Sequence, residues 1–219
     1  MSLAERTPNL GPVLHGPSPL RAVPGPGGPA SVPTGRPDAE LAAAAVADLL
    51  VALGRDVASP HLADTPRRVA DAFIEMLTPT DFSPTTFPND SGYAELVLVR
   101  DIPFHSLCQH HLLPFQGVAH IGYLPGDRIL GLSKLARVLD YFARDLQVQE
   151  RLTTDVADWL QAQLTPRGVG VVIEAEHLCM SLRGVQVSGS RTTTSALHGA
   201  LRDDPRTRAE FLARCGLSA

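Results

Sequence analysis

Proline sets the first limit on this chain: nine of its nineteen prolines, with six of its glycines, fall in residues 1–38. Each proline fixes φ and removes a backbone donor, so no regular helix or sheet ladder can run through "GPVLHGPSPLRAVPGPGGPASVPTGRP". The segment also buries too little apolar surface to offset the entropy of ordering it, and it reads as a disordered, solvated tail. Folding is expected of residues 39–219, as one domain with a helical region over 39–92 and a sheet-bearing region over 93–219.

From Asp38 the texture changes. "AELAAAAVADLLVALG" predicts a helix with Leu41, Leu49, Leu50 and Leu53 on one flank and Gly54 as its stop. "DTPRRVADAFIEML" predicts a second helix, with Asp64 or Thr65 as N-cap and Pro66 in the first turn. "AELVLVRDI" and "FQGVAHIGYL" read as strands, and helices follow over about 133–146 and 150–164. Strands return in "GVGVVIEAEH" and "MSLRGVQVSG", and "DPRTRAEFLARC" is a short closing helix. Strands flanking a helical pair make the fold class α+β with an antiparallel sheet.

The chain has only three cysteines and eight histidines, yet "SLCQHHLLPF" gathers Cys108, His110 and His111 into four positions. A buried thiol can be a small hydrophobe and nothing more. Along a straight strand Cys108 and His111 would face opposite ways, so a shared role needs a sharp bend, which Pro114 and the local composition allow. Cys108-x-x-His111 then has the spacing of a chelating arm. Cys179, in "EAEHLCMSLRG", again follows a histidine by two positions, and the two pairs converge if their strands are sheet neighbours. Three ligands, Cys108, His111 and Cys179, leave an open coordination position, the arrangement of a catalytic zinc. His110 and His177 stay free for proton transfer. Cys215 has no such company and reads as a packing residue.

In "GLSKLARVLDYFARDL" the buried stripe is Leu135, Val138, Leu139, Phe142 and Leu146. Lys134, Arg137 and Arg144 lie on the other flank, with Ser133 placed as N-cap, and a basic helix start suits an anion. Arg144 reads as part of a solvated face. In the next helix Trp159 has core spacing, and Glu150 in the first turn complements the helix dipole.

Composition narrows the partners. A formal net charge of −4 argues against a general nucleic-acid or anionic-membrane binder. No apolar run approaches a bilayer span. "MSLAERTPNLGP" lacks the apolar core of a secretory signal, and three cysteines make a poor disulfide framework. A cytoplasmic protein with reduced thiols is expected.

In this order, "LCQHHLLPFQGVAHIGYLP", "GLSKLARV", "QVQERLT", "EHLCMSLRGV" and "RTTTSALHG" resemble GTP cyclohydrolase I, over about residues 40–217. The resemblance implies a tunnelling fold: a four-stranded antiparallel sheet, helices on one side and an N-terminal helical pair in front. It implies a toroidal homodecamer with active sites between subunits. The implied reaction converts GTP and water to 7,8-dihydroneopterin triphosphate and formate, the entry to folate and other pterins. Residue by residue, it implies zinc on Cys108, His111 and Cys179, acid/base chemistry by His110 and a second catalytic histidine in His177. Glu150 falls on the carboxylate that holds the guanine edge, and Gln149 lies beside it. Ser133, Lys134, Arg137, Arg183 and Arg68 fall on the triphosphate side.

Two positions depart from the family. Gln109 stands where Cys-Glu-His-His is usual, and Asp71 stands where some relatives carry a phosphate-assisting lysine. Two other readings compete: a paralogue with a different nucleotide or stopping point, and a non-catalytic GTP-binding subunit. Retention of both spare histidines argues against the second.

Overall fold

The computed structural model describes residues 35–217, so nearly all of the expected tail lies outside the described residues. The chain runs α1 (Ala39–Ala52), α2 (Thr65–Met76), β1 (Thr86–Pro88), β2 (Val97–Cys108), β3 (Pro114–Leu124) and β4 (Arg128–Leu130). It continues through α3 (Ser133–Ala143), β5 (Leu146–Gln147), α4 (Gln149–Leu164) and β6 (Gly168–His177). Last come α5 (Leu178–Ser181), β7 (Thr192–Gly199), α6 (Ala200–Asp203) and α7 (Pro205–Arg214).

The fold is α+β, but its main sheet has five strands in the order β5-β2-β3-β6-β7. Its four long strands are antiparallel, as expected. The expectation of four strands misses β5, a two-residue strand that lies parallel to the end of β2, pairing Leu146 with Leu107 and Gln147 with Cys108. No apolar periodicity can announce a strand that short. The pair β1–β4 forms a separate two-stranded sheet. "MSLRGVQVSG" is not a strand: residues 178–181 form a helical turn, and the outer strand comes later, as β7.

A bulge in β2 keeps its apolar residues in phase. The register steps from Val99↔Ile121 to Ile102↔Ala119, so two β2 residues oppose one on β3, and Asp101 takes a φ of +57°. Val97 and Val99 before the bulge, and Ile102 and Phe104 after it, therefore reach the same core. Without the extra residue the second half would turn its apolar side to the wrong face. That core is closed by Leu135, Val138, Leu139 and Phe142 of α3 and Leu152, Val156 and Leu160 of α4. Trp159 sits in it, 9% exposed, as its spacing predicts.

The helices are not confined to one side. Val172 points to the opposite face of β6, where Leu201, Phe211 and Cys215 of the C-terminal segment cover it in a second cluster. Gly170 makes room, since a Cβ there would stand 2.7 Å from the Phe211 ring. Cys215 is thus a packing residue, and burial pushes its thiol up to about 11. The N-terminal pair forms as read: Asp38 caps α1 by accepting from Leu41 N, and Asp64 precedes α2 with Pro66 in its first turn. No residue of α1 is buried, and Leu41, Leu49 and Leu53 are 68%, 56% and 62% exposed. Among the described residues no helix is long and apolar enough to cross a membrane.

Candidate active site

The segment after β2 turns instead of extending. Cys108 N donates to Leu113 O, and the Cys108 carbonyl accepts from Leu112 N at 2.9 Å and His111 N at 3.3 Å. Leu112 closes this turn with a φ of +54°. The reversal brings His110 Nδ1 and His111 Nδ1 to 3.9 and 3.8 Å from Cys108 Sγ. At the end of β6 the chain winds directly into α5, which carries Cys179 inward. The ligand atoms of Cys108, His111 and Cys179 lie within 4.8 Å of one another. The strands are not neighbours, for β3 runs between β2 and β6, and the two turns bridge that gap.

Two sulfurs and one imidazole form a donor set suited to a thiophilic divalent metal. Cys108 is buried, Cys179 half-buried and His111 exposed. Burial, reinforced by the adjacent Cys108 sulfur, pushes the Cys179 thiol above its ordinary value. A cation bound here displaces that proton, which couples metal affinity to pH.

Beside the cluster lies a cavity of about 240 Å³. Cys108, His110, His111, Gln149, Glu150, His177 and Cys179 all line it. The short β5 makes this meeting possible: it pairs with Cys108, and its Gln147 carbonyl accepts from Gln109 N at 3.0 Å. Two residues later α4 begins, so its first turn opens onto the cluster with Glu150 exposed. The His177 ring stacks on buried Phe115, with centroids 4.6 Å apart and planes 1° from parallel. Its Nε2 lies 2.8 Å from Gln149 Oε1. Burial lowers the His177 pKa, against a smaller opposing pull from Glu150, and so favours the neutral ring.

The other expected residues stand apart. Arg183 reaches His111 Nε2 at 3.5 Å without lining the cavity. Lys134 and Arg137 are on α3, and Arg68 on α2 pairs with Asp64 at 3.1 Å. None of these, nor Ser133, lines the cavity within one chain. Ser133 is not the N-cap: Leu132 holds that place in helical geometry, and Ser133 is the first helical residue. Arg144 is less solvated than expected, because it joins the Asp140 carboxylate at 3.0 Å to the Glu75 carbonyl at the end of α2. Asp71 is engaged within its own helix, accepting from Arg67 Nε at 3.0 and 3.1 Å.

Phe115 and Thr192 escape the sequence reading. Phe115 stands opposite His177 in the β3–β6 register, and that pairing is invisible until the two strands are aligned. Thr192 lines the cavity from the start of β7, the strand that periodicity misplaces.

Residues 42–216 match the GTP cyclohydrolase I family. GTP cyclohydrolase 1 of Mycolicibacterium vanbaalenii is 51% identical over 190 residues, covering 84% of this chain and 93% of that protein. The Streptomyces griseus protein of the same name is 52% identical over 182 residues, with 80% and 89% covered. Among solved structures, the apo archaeosine synthase QueF-Like aligns with 48% of this chain and 93% of its own at 18% identity and a TM-score of 0.38, too slight a likeness to carry any argument.

Proposed function

The chain belongs to the GTP cyclohydrolase I family, and from that premise we propose that Cys108, His111 and Cys179 hold a zinc ion beside a pocket for guanine. The enzyme converts GTP and water to 7,8-dihydroneopterin triphosphate and formate, the first step of pterin and folate synthesis. The observation that carries the site assignment is the convergence of three soft donors within 4.8 Å at the wall of a cavity also lined by two spare histidines and Glu150. Zinc, when bound, supplies a Lewis acid that activates water.

The chain's own residues do the rest. Glu150 accepts two N–H bonds from the guanine edge, a charge-assisted pair that fixes the base. His110, at the cluster, delivers a proton to the purine ring nitrogen as the imidazole ring opens. His177, whose burial favours the neutral ring, assists the proton transfers that end in formate release. The cavity, at about 240 Å³, is below the range of about 300–1,000 Å³ for complete small-molecule sites. It suits the base, with the triphosphate lying outside towards Arg183.

Arg68, Ser133, Lys134 and Arg137 then serve the triphosphate from neighbouring copies in a homodecameric ring. Two features support that assembly: these residues do not line the cavity beside the cluster in their own chain, and Leu41, Leu49 and Leu53 lie exposed. The four long antiparallel strands with α3 and α4 across one face fit the tunnelling fold. We place the enzyme in the cytoplasm, where its three unpaired cysteines remain reduced. Incubating the pure protein with GTP while following formate and fluorescent pterin together tests the reading. Turnover without formate would indicate a paralogue, and no turnover a binding subunit.

A further inference from the structure

Gln149 offers its side chain to the protein on every side. It is 1% exposed, and its Nε2 lies 3.0 Å from Ile173 O, 2.9 Å from Thr192 O and 3.1 Å from Thr194 Oγ1. Two of those partners are carbonyls, which only accept, so the amide nitrogen must face them and the amide oxygen must face His177. The hydroxyls agree with this assignment. Thr153 Oγ1 donates to Gln149 O at 2.7 Å, so in its 2.6 Å contact with Thr194 the Thr194 hydroxyl is the donor. Thr194 Oγ1 thereby keeps its lone pairs for the Gln149 amide. An oxygen facing His177 Nε2 at 2.8 Å requires that nitrogen to carry the proton.

We infer that Gln149 is a positioning residue that locks His177 as its Nε2–H tautomer, leaving Nδ1 as the nitrogen that exchanges protons during the reaction. Phe115 fixes the plane of the ring by stacking, and Gln149 fixes its rotation within that plane. Both amide hydrogens are committed to acceptors inside the protein, so the Gln149 side chain has no N–H left to donate to guanine, and its part at the site runs through His177. The inference rests on the proposed role of His177 in proton transfer, whereas the tautomer itself can be read without turnover.

The test begins with zinc-loaded, GTP-free full-length protein labelled with ¹⁵N-histidine, assigning His177 in the solid-state NMR spectrum by its loss in His177→Ala. A protonated Nε2 and bare Nδ1 are expected in the wild type, giving way to mixed tautomers in Gln149→Met. A bare Nε2 in the wild type, or no change in the variant, overturns the inference. In kinetics, Gln149→Met is expected to lower kcat for formate release by about 10–100-fold, as outer positioning partners do, with the KM for GTP unchanged. Adding Gln149→Met to His177→Ala should cost nothing further. A raised KM at unchanged kcat, or additive losses in the double variant, would make Gln149 a base contact or a structural residue and overturn the inference. A wild type that releases no formate defeats the enzymatic reading instead, and leaves the ¹⁵N result standing.

Discussion

The two ends of this molecule are finished to different degrees. At the cluster end, the ligand atoms of Cys108, His111 and Cys179 meet within 4.8 Å, and the neighbouring amide and hydroxyls are paired inside one chain. At the N-terminal end, α1 buries no residue, and Arg67 spends its charge on Glu40 and Asp71 in a solvent-exposed group. Short turns build the first region: one after β2, one after β6, and a two-residue β5 that aims α4. The second leaves apolar side chains of α1 and its C-cap, Leu41, Leu49 and Leu53, exposed among the described residues. On the proposed function, the contrast separates what a single subunit would do, hold a metal and a base, from what would require assembly, which is to enclose a triphosphate.

The largest break falls on the cluster. Cys108→Ser and Cys179→Ser are each expected to lose bound zinc and all formate release, checked by elemental analysis and a formate assay. A hydroxyl at pH 7 supplies no anionic soft donor to replace the thiolate. Full zinc occupancy in both variants would move the metal elsewhere.

Glu150→Gln comes next. It replaces one accepting oxygen with an N–H that faces the guanine donors, leaving groups unpaired at a cost of about 1–3 kcal/mol. GTP affinity should fall by about 5–150-fold, read as KM or by direct titration, while zinc content stays at wild-type level. An unchanged KM and turnover would mean that guanine is read by other groups.

Much of this contrast is legible in the sequence, and the gaps have physical causes. Cys108-x-x-His111 and the pair His177 and Cys179 announce themselves because such side chains are scarce and closely spaced. The core stripes of α3 and α4 are visible from their period. β5 escapes because two residues carry no period, and the outer strand is misplaced because "MSLRGVQV" has strand-like apolar content. Its exposed Leu182, Val185 and Val187 show that those residues do not build the sheet. The partners of Gln149 span from Ile173 to Thr194 and depend on register, so its network cannot be read from local pattern. Of the triphosphate residues, Ser133, Lys134 and Arg137 are legible as a basic helix start, whereas Arg68 and Arg183 come from the resemblance alone.

A smaller effect on chemistry, though a larger one on size, is expected from the other end. Leu41→Glu, Leu49→Glu and Leu53→Glu together place charges on the uncovered flank of α1. Sedimentation should show smaller species than the wild-type assembly, while zinc per chain remains unchanged because the cluster is built within the subunit. Loss of zinc together with the assembly would erase the distinction between the two regions.

The smallest expected effect is at Gln109, inside the finished region. Its Nε2 lies 3.4 Å from His110 Nε2, and an amide nitrogen offers that ring atom a donor, which suits an unprotonated nitrogen. A carboxylate in its place attracts a proton instead. The pH–rate profile for formate release in Gln109→Glu is therefore expected to lie at higher pH than that of the wild type. Both side chains are exposed, so solvent screens the attraction and its worth is about 0–1 kcal/mol. That limits the displacement to at most about 0.7 pH unit. Superimposable profiles would show that the amide bears on nothing in the reaction. A profile displaced to lower pH would overturn this account, because a neighbouring negative charge raises the pKa of any acid it faces. A wild type that releases formate only after glutamate is restored would place Gln109 at the division between this chain and its family's full reaction.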